Sequence, residues 1–268
     1  MLKDITLGQF FPGSSVVHRL DPRTKLVLTL VYIVALFTAK SYFSYGLMAA
    51  VLLTCVLLSE ISLKTIIRSV KPLVFIIMFT FVLNMFFTSG KIILVRFWII
   101  TITLEGVIMA VTMILRLIML ILGTFLLTYT TSPIALTDGL ERLMNPLKTI
   151  RVPVHELAMM MSIALRFIPT LIEETDKIIS AQKARGADFD SGNLIRRAKA
   201  MLPILVPLFI SAFRRADELA IAMESRCYHG GEGRTRMKQL RMQRCDILAL
   251  CFGAVILAGV IVLVTFGL

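Results

Sequence analysis

Two arginines carry the most specific chemistry in this chain. Arg185 stands between Ala184 and Gly186, and Arg226 between Ser225 and Cys227. Each falls where a long, periodically apolar stretch comes to an end. A guanidinium just inside a helix C-terminus is favoured by the helix dipole and offers several N–H donors to a carboxylate. Stabilisation of its own helix, about 0.3–1 kcal/mol, would account for one such residue. Two of them, each flanked by small residues, look like plugs for two related sockets. Aligned on the arginines, residues 176–186 and 217–227 echo one another, with aspartate nine positions before the arginine and alanine four before.

Other chemistry is missing from the sequence. There is no G-x-x-x-x-G-K-[ST] phosphate loop, and the segment from Gly230 to Thr235 lacks the lysine and the spacing, so the chain should not hydrolyse ATP alone. His155-Glu156 meets Met159 where a zinc protease needs its second histidine. Cys55, Cys227, Cys245 and Cys251 form no C-x-x-C pair and read as thiols without a metal or disulfide role. No nucleophile, base and metal constellation suggests a membrane enzyme. Catalytic residues and metal ligands are therefore expected to be absent.

The elements that position the arginines are helices in and beside a bilayer. Of 268 residues 57% are hydrophobic, and the mean hydropathy of +0.84 lies outside the soluble range. Residues 26–39, 41–59, 72–90 and 247–268 carry no charge, and 106–131 is interrupted only by Arg116. Such runs approach the roughly 20 residues needed to cross a hydrocarbon core as a helix, and they lack the alternation of barrel strands. An ion-coupled permease would place acidic groups at membrane depth. None lies in these runs, although a self-contained secondary transporter remains the competing reading. Arg116 and Asn84 are the polar exceptions, and Arg116 needs a partner whether its role is functional or structural.

The net charge of +12 is distributed as a topology signal, not as a nucleic-acid surface. Lys3, Arg19, Arg23 and Lys25 precede the first apolar run, and Lys64, Arg68 and Lys71 lie between the second and third. Only Lys40, Lys91 and Arg96 fall in the alternate loops. From Thr130 to Cys245 there are 18 basic and 12 acidic residues. This asymmetry puts the N-terminus and the long later segment in the cytoplasm. The opening residues lack a short apolar region and a cleavage site, so no removable signal peptide is expected. Trp98 suits an interfacial position, and residues 96–105 could dip into the interface.

Helix signals divide the rest. Asp21-Pro22 reads as a cap followed by proline in the first turn, and Ser132-Pro133 repeats the pattern before an amphipathic helix ending near Leu147. After Val152-Pro153 a helix runs from Val154 to Ala184, with Leu157, Met161, Ala164 and Ile168 on one face and a kink expected at Pro169. Gly186 supplies a left-handed stop. A further helix spans about Leu194 to Ser225, irregular at Pro203 and Pro207, with Leu205, Leu208 and Ala212 on its apolar stripe. The expected fold is all-α: a membrane region over 1–131 with about four spanning helices, a cytoplasmic helical region over 132–245, and a last membrane helix over 246–268.

These features together resemble the transmembrane T component of energy-coupling factor transporters, a class of ABC importers. Ala184-Arg185-Gly186 matches that family's Ala-Arg-Gly signature, and Ser225-Arg226-Cys227 resembles its second, more variable copy. Further matches are the stretches from His18 to Lys25, from Arg166 to Pro169 and from Arg215 to Met223. The resemblance covers nearly the whole chain. It implies coupling helices that cross on two cytoplasmic ATPases, with each signature arginine docked in one of them. It also implies a substrate-capturing S component held on the apolar face, here Leu157, Met161, Ala164, Ile168, Leu205, Leu208 and Ala212. ATP and Mg are then expected on the partner ATPases and not on this chain. The other partners implied are interchangeable S components and membrane lipid, with no nucleic acid. A module shared among vitamin-specific partners is favoured over a dedicated cobalt or nickel system. Cys227, lacking glycine's freedom, is expected to end its helix differently from Gly186. Glu173 and Glu174 occupy places in the echo that match Arg214 and Arg215, and these four are expected to brace a crossing of the two helices.

Overall fold

A computed structural model describes residues 10–88, 90–97, 100–187, 189, 193–230 and 240–266. In chain order the helices are α1 (Val16–Arg19), α2 (Pro22–Thr38), α3 (Tyr42–Leu58), α4 (Leu63–Val70), α5 (Val74–Phe87) and α6 (Leu104–Thr130), then α7 (Pro133–Met144), α8 (Val154–Ala184), α9 (Leu194–Glu224) and α10 (Arg244–Thr265). A 3-10 turn, Lys71–Leu73, joins α4 to α5, and another, Asn145–Ile150, follows α7. Strands β1 (Ile93–Phe97) and β2 (Ile100–Thr103) form an antiparallel hairpin that pairs Phe97 with Ile100 and Ile93 with Thr103. Each apolar run falls on a helix, and the polytopic, helical membrane fold is the class expected. The hairpin falls where an interfacial dip was anticipated. Trp98, Lys3 and residues 231–239 of the glycine-rich and basic loop lie outside the described residues.

Among the described residues, Lys64–Phe87, Leu104–Thr130, Val154–Ala184 and Arg244–Thr265 are long and apolar enough to cross a membrane, and Tyr42–Leu58 is a shorter apolar helix. The chain divides into two units. One comprises residues 8–139 with 240–268, and the other residues 1–7 with 140–239.

The first unit is a bundle in which α2 packs against α6 and α10. Its core joins Leu36 of α2 and Met48 of α3 to Met119 of α6 and Val260 of α10, all buried. In lipid there is little hydrophobic drive between helices, so close packing must hold them. Gly253 of α10 permits that approach: a Cβ there would stand 2.5 Å from Leu28 Cδ2. By contrast α5 buries none of its residues, and Phe75 and Phe87 are largely exposed, as an apolar exterior in hydrocarbon requires.

The motif from His18 to Lys25 acts as a knot. Asp21 accepts a hydrogen bond from Arg23 N at 2.9 Å, while its own N–H donates to Asp246 Oδ1 at 2.8 Å. Asp246 Oδ2 in turn accepts from Gln243 N at 2.7 Å, capping α10. The ammonium of Lys25 donates to Thr130 O at 2.8 Å and His18 O at 3.1 Å, satisfying backbone carbonyls at the end of α6 and within α1. Capping and tertiary docking are thus served by the same side chains.

Arg116 finds its partners in the same unit. Its Nε donates to the Tyr45 hydroxyl at 3.0 Å and its Nη2 to Ala39 O at 3.1 Å, with a further bond from Nη2 to Tyr45. The guanidinium carbon also lies 5.9 Å from the Phe37 ring centroid and 5.7 Å from that of Tyr45. An aromatic face and a free carbonyl at the end of α2 both carry partial negative charge toward the cation. Asn84 instead turns its amide onto Thr80 O of its own helix at 2.9 Å.

Candidate functional site

The second unit carries, on α8 and α9, the residues expected from the sequence to dock. Both helices are continuous over 31 residues, α8 through Pro169 and α9 through Pro203 and Pro207. The irregularity expected at Pro203 and Pro207 therefore does not interrupt α9. Each proline removes one donor from the ladder, and a long helix tolerates that by bending slightly.

The two helices end alike. At the first end, Gly186 has φ +87°, Gly186 N donates to Lys183 O at 3.0 Å, and Ala187 N reaches back to Gln182 O at 3.0 Å. At the second, Cys227 has φ +57°, Cys227 N donates to Glu224 O at 2.8 Å, and Tyr228 N reaches back to Met223 O at 3.0 Å. In both the longer bond spans five residues around a left-handed position, the geometry of a Schellman stop. The expectation that Cys227 would terminate α9 differently is corrected here. The backbone bonds hold its residue in the left-handed region despite the Cβ. Ala184, Arg185, Gly186, Ser225, Arg226 and Cys227 are all exposed, so each arginine is accessible at its helix end.

Between these ends the helices touch. Arg215 Nη2 donates to Glu174 Oε2 at 2.8 Å, and the Ser211 hydroxyl donates to Glu174 Oε1. Ser211 and Arg215 are one turn apart on α9, so a single carboxylate of α8 is held by two successive turns of its neighbour. The Ser211 hydrogen bond, followed by Arg215, keeps the Glu174 carboxyl below its ordinary value. Glu173 and Arg214 are exposed, and no ion pair of theirs occurs among the described residues. Ser211 was missed by sequence reading. Its spacing of four from Arg215 was the available signal.

The apolar positions separate by burial. Leu157, Met161, Ala164 and Leu205 are exposed, whereas Ile168, Leu208 and Ala212 are half-buried. A second exposed row on α9, Leu202, Val206, Phe209 and Phe213, follows the helical spacing of four, three and four. The rings of Phe209 and Phe213 stack, with centroids 6.4 Å apart. At the start of the unit, His155 Nδ1 of α8 contacts Glu141 Oε1 of α7 at 3.1 Å. Among the described residues no group of three or more histidine, cysteine, aspartate or glutamate side chains is placed to hold a metal ion. The arrangement can bind carboxylates and apolar surface.

Comparison with known proteins agrees over nearly the whole chain. Residues 13–237 match the family described as cobalt transport protein, CbiQ. The chain is 57% identical over 258 residues to the energy-coupling factor transporter transmembrane protein EcfT of Thermosediminibacter oceani, covering 96% of this chain and 97% of that one. It is 53% identical over 263 residues to the protein of the same name from Ruminiclostridium cellulolyticum, covering 98% of each. With that from Brevibacillus brevis it shares 50% identity over 267 residues.

Proposed function

This chain belongs to the family of energy-coupling factor transporter transmembrane proteins, non-catalytic membrane subunits, and from that premise we propose how it couples. It links ATP hydrolysis by two cytoplasmic ABC ATPases to movement of a membrane-embedded S component during vitamin or micronutrient uptake. ATP and Mg belong to the partner ATPases. The distribution of basic residues supports a cytoplasmic N-terminus and cytoplasmic α8 and α9; α8 has the length to cross a membrane, but the seven charged side chains along it favour water. The relatives' shared name specifies no substrate, which suits a module served by interchangeable S components.

One observation carries the reading. Glu174 lies eleven residues before Arg185, and Arg215 eleven before Arg226. From their contact each helix therefore extends about 16 Å at the ordinary helical rise, and ends in the same capped turn with an exposed guanidinium. Two equal arms of this kind suit two ATPases that close on ATP. Each arginine docks in a groove of one ATPase, and Glu174 with Arg215 and Ser211 braces the junction, Glu173 and Arg214 standing exposed beside it. Motion of the tips then passes along the helices to an S component seated on Leu157, Met161, Ala164, Leu205 and the neighbouring exposed apolar row, with Ile168, Leu208 and Ala212 beneath it.

Partner capture tests this. Tagged full-length chain co-expressed with its two ATPases should recover both. The combination of Arg185→Glu and Arg226→Glu should release them, and an unchanged yield would overturn the docking assignment.

A further inference from the structure

The membrane bundle holds a cavity of about 280 Å³ bordered by α1, α2, α3, α6 and α10. Val16, Leu58 and Phe252, all on its border, are exposed, so it opens sideways from the bundle instead of being sealed in it. A void of this size has room for several waters, but water needs polar partners. The lining hydroxyls are already engaged. Thr29 donates to Lys25 O, Thr54 to Ala50 O and Thr130 to Leu126 O, each at 2.8 Å, and Tyr32 donates to Met119 O at 3.3 Å. What remains for an occupant is apolar wall, and an empty wall forfeits dispersion contacts.

One end of the cavity is basic. Lys25 lies on its border with two of its three ammonium donors given to Thr130 O and His18 O. Arg19 and Arg244 are exposed and adjoin the lining residues Leu20 and Cys245 in the chain. Across residues 10–30 and 240–246 there are five basic side chains against two acidic ones, Asp21 and Asp246. Both aspartates are buried and committed to helix capping. The end of the cavity therefore attracts an anion while its body accepts hydrocarbon.

We propose that this cavity is a phospholipid site, which takes an acyl chain of an anionic phospholipid and draws its phosphate to the basic end formed by α1, α2 and α10. The lipid fills the gap between α3 and α10 where they flank α2. Which leaflet supplies it follows from the orientation proposed above, but the existence of the site does not depend on that orientation.

The test uses the full-length chain in phosphatidylcholine vesicles containing a trace of phosphatidylglycerol with a diazirine in mid-chain. Illumination should label residues 51–58 and 245–256, and excess unlabelled phosphatidylglycerol should compete far better than excess phosphatidylcholine. Ala249→Phe, which fills the cavity, should lower that labelling roughly tenfold, while Arg19→Gln and Arg244→Gln should each weaken the phosphatidylglycerol preference by roughly fivefold. Labelling confined to the outward face of α5, or labelling that neither lipid can saturate, would overturn the site. Equal competition by the two lipids would overturn the anionic preference. If Ala249→Phe fails to fold, the competition on the unaltered chain decides the matter.

Discussion

Glu174 and Arg215, 2.8 Å apart, stand at equal distances from the arginines that end their helices. The pair therefore marks a common origin for two arms of one length. If it serves as the junction, separating the charges should loosen transmission without touching either docking tip. Glu174→Arg should reduce substrate uptake by the assembled transporter roughly fivefold while leaving ATPase capture intact, and adding Arg215→Glu should restore most of it. Uptake by reconstituted vesicles, with partner capture measured in parallel, checks this. Failure of the double exchange to rescue would reduce the pair to two independent surface charges.

The same contact has a pH dependence with a definite sign. Ser211 and Arg215 hold the native Glu174 carboxyl below its ordinary value of 4.5, so the contact favours the folded arrangement above that value. As pH falls below 4.5 and then through the lower native value, protonation removes the benefit. Spin labels on the two arms should show a broader distance distribution at the acid end of this range. Glu174→Gln should show the broader distribution at every pH.

Much of this was legible beforehand because the signals are local or compositional. The apolar runs mark α2, α3, α5, α6 and α10 as helices, and Asp21-Pro22, Ser132-Pro133 and Gly186 mark helix ends. The contact of Glu174 with Arg215 was legible through the echo, since matched positions on two similar helices meet when those helices cross. Asp246 was not. Its partner, Asp21 N, lies 225 positions away in the chain, and only its place in the first turn of α10 hinted at capping. Nor was the equivalence of Gly186 and Cys227, because residue preference argues against a left-handed cysteine and only the backbone bonds reveal it. The β1–β2 hairpin escaped for a related reason, a short strand pair being hard to separate by periodicity from an apolar helical segment.

That equivalence yields an asymmetric pair of substitutions. A side chain in the left-handed region costs roughly 1–2 kcal/mol relative to glycine's freedom. Gly186→Ala should therefore destabilise the first helix end by about 1 kcal/mol, although nothing lies within 4 Å to clash with the new Cβ. Cys227→Gly should stabilise the second end by a similar amount. Hydrogen exchange at the amides of Ala187 and Tyr228 reads both changes, slower protection loss being expected only for the glycine variant.

Arg116 supplies the last test, because its partners are groups that a lipid environment cannot replace. Tyr45 is buried, and its hydroxyl accepts from two nitrogens of the guanidinium. Tyr45→Phe keeps the aromatic face toward the cation but withdraws the oxygen, leaving N–H donors of a charged group short of an acceptor. Hydrogen bonds to charged groups contribute about 1.5–3 kcal/mol, so the variant should unfold measurably more easily in detergent. Arg116→Met removes the charge and its need together, and should be less damaging than Tyr45→Phe if the arginine only clamps α6 to the end of α2. Uptake by the assembled transporter then separates the roles. A stable Arg116→Met chain that transports normally makes the residue a clamp, whereas a stable chain that captures both ATPases yet fails to transport makes this charge part of the coupling path.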